Sequence, residues 1–83
     1  MKRYASHYIH HPEQGFLKHF VVEIENGYVQ QLYPLKEEIE NTEWLPGVIY
    51  ITKKDEFMVA NLYANFDFNL MKPFDETLHK LLL

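Results

Sequence analysis

The chain has 83 residues, with 12 acidic and eight basic side chains, a formal charge of −4 at pH 7 and no cysteine. Scattered lysines and arginines on a net acidic chain argue against nucleic-acid binding, which rests on clustered cations neutralising phosphates, and the lack of cysteine excludes disulfides and thiolate metal sites. At 47% hydrophobic and 16% aromatic residues the composition is that of one packed or self-associating domain, not of a disordered segment.

Arg3 to His10 is expected as a first strand, with Tyr4, Ser6, Tyr8 and His10 on one side and Ala5, His7 and Ile9 on the other. Pro12-Glu13-Gln14-Gly15 breaks it and turns the chain into a long strand, Phe16 to Ile24, whose even positions are mostly apolar. Asn26-Gly27 closes that strand into a β-hairpin, because both residues accept the positive φ that a type I′ turn requires. A two-residue loop sets Glu25 opposite Tyr28, Ile24 opposite Val29 and Phe20 opposite Tyr33. It leaves Val22 opposite Gln31 as a weak rung, the sign of a bulge or of a sheet covered only in part.

Pro34 ends hydrogen bonding on one side of the hairpin's second strand. Lys36 to Asn41, apolar only at Ile39, reads as a connection, and its acidic run with Glu43 as a solvated one. Thr42 to Leu45 reads as a short strand with Trp44 as a large anchor. Pro46-Gly47 then redirects the backbone into a buried strand, Val48-Ile49-Tyr50-Ile51, followed by an exposed turn at Lys53-Lys54-Asp55. Beyond Phe57, the spacing of Val59, Leu62, Tyr63 and Phe66 fits a helix, whereas Ala64, Phe66, Phe68 and Leu70 alternate as a strand would, so a change from irregular or helical chain to strand is expected near Tyr63. Asp75 can cap a short final helix, or the tail can be an extended arm. Either way Leu78, Leu81, Leu82 and Leu83 call for a docking partner within the monomer or across a dimer. The expected fold is mainly β: a small antiparallel meander of four to six strands forming a β-sandwich or partly open barrel, with room for one short helix.

No catalytic constellation is legible. His7 and His11 would share a strand face about 13 Å apart with His10 pointing the other way, so no pair sits at the alternate spacing a strand-borne metal site needs. Glu23 and Glu25 share a face roughly 7 Å apart, but beside a tight turn they are expected in solvent, with nothing to raise one pKa. Ser6 lies in no nucleophile-elbow pattern, and Gly15, Gly27 and Gly47 are each explained by a turn. The six tyrosines, with an apolar body and a polar tip, suit core packing and interfaces. The candidate interaction surface is Tyr8, Tyr33, Trp44, Leu78 and Leu82, and the structural turns are Asn26, Gly27, Pro46 and Gly47.

Val22-Glu23-Ile24-Glu25-Asn26-Gly27-Tyr28-Val29, followed by Leu45-Pro46-Gly47-Val48-Ile49, resembles the N-terminal segment of amidohydrolases, the metal-dependent hydrolase superfamily. There, such a segment belongs to the small composite β-domain that flanks the catalytic barrel. In the family the Pro-Gly step leads into Asp-x-His-x-His, which supplies the first metal ligands. Here Tyr50-Ile51-Thr52-Lys53-Lys54-Asp55 follows instead, so no metal ligand transfers. Nor do 83 residues hold a barrel, which takes ~250. The resemblance implies a freestanding β-domain similar to the composite domain, without hydrolase activity.

The functional expectation is a non-catalytic structural or protein-interaction module that self-associates, as a dimer, without cofactor. The alternatives are a small-ligand binding domain with an aromatic cleft, or an accessory domain of a separately encoded hydrolase. No run approaches the ~20 apolar residues of a membrane helix, and Met1 to His7 lacks the apolar core of a signal peptide, so the cytoplasm is the expected compartment.

Overall fold

The computed structural model describes residues 1–37, 40–75 and 79–83. Its strands in chain order are β1 (Lys2–Ala5), β2 (Tyr8–His11), β3 (Gly15–Lys18), β4 (Phe20–Glu25), β5 (Tyr28–Pro34), β6 (Thr42–Trp44), β7 (Val48–Lys54), β8 (Phe57–Tyr63), β9 (Phe66–Asp67), β10 (Lys72–Pro73) and β11 (Lys80–Leu81). They form a four-stranded sheet, β5-β4-β1-β6, a five-stranded sheet, β11-β8-β7-β2-β3, and a small β9-β10 ribbon. The fold is all-β and sandwich-like, with no closed barrel and, among the described residues, no helix.

Two strands read as continuous in the sequence are each divided between the main sheets. The stretch from Arg3 to His10 breaks at Ser6 and His7, and the stretch from Phe16 to Ile24 breaks at His19, whose φ is 59°. The breaks face one another. β1 pairs antiparallel with β4 from Lys2↔Ile24 to Ala5↔Val21, and the same two chain segments go on as β2 with β3 from Tyr8↔Lys18 to His11↔Gly15. They make one long hairpin bent across both sheets. A third segment bends alongside: β6 runs parallel to β1, and after Leu45-Pro46-Gly47 the chain resumes as β7, parallel to β2. Such corners, where strands leave one sheet for another, are how a single chain closes two layers over a common core.

Each corner has a local cause. Ser6 is fully buried and its hydroxyl donates to the carbonyl oxygen of Tyr8 at 2.7 Å, bending the chain around its own side chain. The carbonyl oxygen of His19 accepts from the Leu35 amide at 2.7 Å, which ties that corner to the end of β5. The Leu45 amide donates to the Ala5 carbonyl at 2.8 Å, and Gly47 takes φ 101°. A Cβ at Gly47 would run into the carbonyl oxygen of Tyr63, so glycine is required there by both conformation and space.

The β4–β5 hairpin turns at Asn26 (φ 55°) and Gly27 (φ 80°), with Glu25↔Tyr28 and Ile24↔Val29 as expected from a type I′ loop. Beyond that the register slips by one, because Gln30 is an extra residue opposite the Glu23–Ile24 step. Val21 therefore faces Tyr33, and Phe20 faces Pro34, in place of the Phe20–Tyr33 pair. The bulge repairs the weak rung: Leu32, not Gln31, lies opposite Val22, so an apolar residue is kept on the core side.

β7 extends through Lys54 and forms a seven-rung hairpin with β8 across Asp55 and Glu56. Phe57 to Tyr63 is thus strand, with the irregular stretch after it, the reverse of the order expected from the sequence. An apolar run with both spacings is ambiguous by itself, and pairing with β7 settles it. The described end of the tail is extended: β11 pairs with β8 at Lys80↔Leu62 and Leu81↔Asn61, and the Leu82 amide donates to the Ala60 carbonyl at 2.9 Å. Leu82, expected on an interaction surface, is only 4% exposed and closes the core. That core joins Tyr4, Val22 and Ile24 of one sheet to Ile9, Ile49, Ile51 and Ala60 of the other.

Candidate functional site

The outward side of the five-stranded sheet carries a band of rings. The pairings Tyr8↔Lys18, His10↔Phe16 and His10↔Tyr50 put alternate residues of β2, β3 and β7 on one face, and the core takes the intervening Ile9, Ile49 and Ile51. His10 stacks on Tyr50 with centroids 4.7 Å apart and meets Phe16 edge-on at 4.8 Å, while Tyr50 meets Tyr63 at 4.9 Å. The β9–β10 ribbon covers part of this face. Its turn is held by the Asp67 carboxylate, which accepts from the Asn69 and Leu70 amides at 2.9 and 3.2 Å. Phe66 is driven to 5% exposure against Phe16, Tyr50 and Phe68.

At the sheet-switching corner the band comes to the surface. His7 lies between two rings, Trp44 at 5.3 Å and Phe68 at 6.0 Å, both edge-on. Phe68 in turn lies 5.9 Å from Tyr8. Trp44 and Phe68 remain 48% and 43% exposed, although Trp44 was expected as an anchor. Beside them opens a cleft of about 360 Å³ lined by His7, Tyr8, Lys18, His19 and Phe68. The cleft exists because the backbone is bent there: His7 belongs to one break, His19 to the facing one, and Lys18 is the last residue before it.

Of the other expected surface residues, Tyr33 belongs elsewhere. Its hydroxyl donates to the Glu23 carboxylate at 2.6 Å, and the Arg3 guanidinium donates to the same oxygen at 2.8 Å. Glu23 was expected in solvent and is only 7% exposed, since β1 and β5 flank it on both sides. The Tyr33 hydroxyl and the Arg3 guanidinium hold its carboxyl below the usual carboxylate range. Burial, then the hydrogen bond the phenol donates to Glu23, pushes the Tyr33 phenol up. Glu25 is exposed, so the two carboxylates do not act as a pair. Leu78 lies outside the described residues.

The imidazole of His11 accepts from the Glu13 and Gln14 amides at 3.1 and 3.3 Å, which makes it the cap of its turn. Among the described residues no group of three His, Asp or Glu side chains is placed to hold a metal ion, and no helix is long and apolar enough to cross a membrane. The sequence reading singled out Tyr8 and Trp44, which the corner brings to one side. It missed His7, Phe68, Lys18 and His19. The alternation of Tyr8 with His10 and of Phe16 with Lys18 carried part of the signal, but the bends did not show. No protein-family model, curated protein or solved structure matches this chain. The likeness to the amidohydrolase composite domain therefore stands on its short motifs alone.

Proposed function

We propose that this chain is a non-catalytic protein-interaction module that self-associates through the aromatic corner. The observation that supports this reading is the placing of Trp44 and Phe68, both about half exposed, on either side of His7. Leu70 and Phe74, near the β9–β10 ribbon, are 64% and 71% exposed and add to the apolar surface on the segment that carries Phe68. Large rings flanked by a polar rim are what desolvated interface centres are made of. The test is sedimentation equilibrium on the intact chain and on the Trp44→Ser, Phe68→Ser double variant. A dimer that becomes a folded monomer in the variant supports the reading. A wild-type chain that stays monomeric at high micromolar concentration refutes it.

A further inference from the structure

The cleft beside the aromatic corner has a chemistry that apolar self-association does not use. Its walls offer two rings, Tyr8 and Phe68, two imidazoles, His7 and His19, and one formal cation, Lys18. Among the described residues no carboxylate lines it, although the chain carries 12 acidic residues against eight basic ones. Lys18 is exposed and has no ion-pair or hydrogen-bond partner among the described residues. An ammonium with no partner among the described residues, beside the partly exposed Tyr8 and Phe68 rings, leaves a local positive potential over an apolar floor.

The backbone adds a second, independent observation. His19 takes φ 59°, a conformation that costs a non-glycine residue free energy, and its carbonyl is pinned by the Leu35 amide. Glycine would serve the bend at no steric cost. The corner thus keeps an imidazole where the turn alone favours glycine, and that imidazole lines the cleft.

From these features we propose that the cleft is a binding site for a small aromatic anion, a flat ring bearing a carboxylate or phosphate. The ring lies against Tyr8 and Phe68, and the anionic head is held by Lys18 with His19 beside it. A volume of about 360 Å³ accommodates a single ring with its headgroup. The cleft shares Phe68 with the self-association surface, so ligand and second copy would compete for that ring, and the proposal stands if the self-association reading fails.

The experiment is an amide chemical-shift titration of the intact chain, run at a protein concentration where sedimentation shows one species. Benzoate and phenyl phosphate are the charged probes, benzamide the neutral one of the same shape, and acetate the anion without a ring. Saturable shifts at residues 7, 8, 18, 19 and 68 with a charged aromatic probe are expected. Benzamide should bind about tenfold more weakly, as for loss of one charge-assisted contact, and acetate should leave those amides unmoved. The tighter of the two charged probes identifies the headgroup.

Two variants complete the test. Lys18→Gln should bring benzoate down to the benzamide level. His19→Gly should weaken the charged probe while leaving the melting temperature unchanged or raised, because glycine accepts the positive φ. Equal binding of benzoate and benzamide, shifts centred away from the cleft, or full affinity in Lys18→Gln would overturn the assignment. So would the absence of saturable shifts with both charged probes.

Discussion

Glu23 shows what one buried carboxylate does in a molecule this small. Its oxygen takes hydrogen bonds from Tyr33 and Arg3, and these partners favour the charged form. With its folded pKa below its unfolded value, the contribution is fully present above the ordinary carboxylate range and is lost as pH falls through the lowered pKa. Urea midpoints taken from neutral to acidic pH should therefore decline more steeply for the wild type than for Glu23→Gln. Equal slopes would show that the network carries no linkage. Tyr33 works in the opposite sense: its raised pKa gives stability that is present below its unfolded value, near 10, and lost as pH rises through the folded one. Gly47 is the other residue on which much depends. Gly47→Ala meets both a positive φ and the Tyr63 carbonyl, and should cost about 3 kcal/mol or more in denaturant unfolding.

At the scale of elements, the bent β1–β2 and β3–β4 hairpin and the parallel β6–β7 segment share one corner, so each sheet-switching residue supports the other two. This joint bend forms the cleft and brings Trp44 to His7. The terminal arm contributes differently. Its described end pairs for only two residues, yet Leu82 enters the core beside Tyr4 and Ala60. Leu82→Ala should cost about 2–4 kcal/mol, as for other buried leucines, whereas Leu81→Ala, nearly half exposed, should stay within about 0.5 kcal/mol. Chemical denaturation of the two variants gives the comparison, and similar costs would mean the arm docks in another way. A truncation of the arm would damage the fold and is a poor probe of assembly, which is why the surface pair Trp44 and Phe68 is the better choice.

For the whole molecule, topology sets the folding rate. β1 must find β6 roughly forty residues on, and β2 must find β7, before either sheet has its centre. Parallel pairings of that separation cost loop-closure entropy before they return any contact, which places refolding in the range of about milliseconds to seconds. Stopped-flow refolding followed by the fluorescence of Trp44, the single tryptophan, measures this, and completion within microseconds would contradict the topology.

What the sequence by itself determined was local: the mainly β character, the Asn26-Gly27 hairpin, the turn before Gly15, the short strand at Trp44 and the mismatch at Val22 that signals a bulge. These follow from period-two patterning and from turn residues that accept positive φ, both of which act over a few neighbouring positions. Only the tertiary structure decided where strands change sheets, that β1 and β2 each gain a parallel neighbour, that Phe57 to Tyr63 extends, that Glu23 is buried and that Leu82 is core. The corners at Ser6-His7 and His19 lack the Gly-Pro punctuation that marks a break. The first turns on a hydrogen bond from the Ser6 hydroxyl to the Tyr8 carbonyl two residues on, a pattern that a lone serine does not announce. The second is held by the Leu35 amide, which meets His19 only in the folded chain. The cleft lies at those corners, and its two sides come from segments that meet only through strand pairing and the return of the β9–β10 ribbon. Its cause is long-range packing, which no window of the sequence contains.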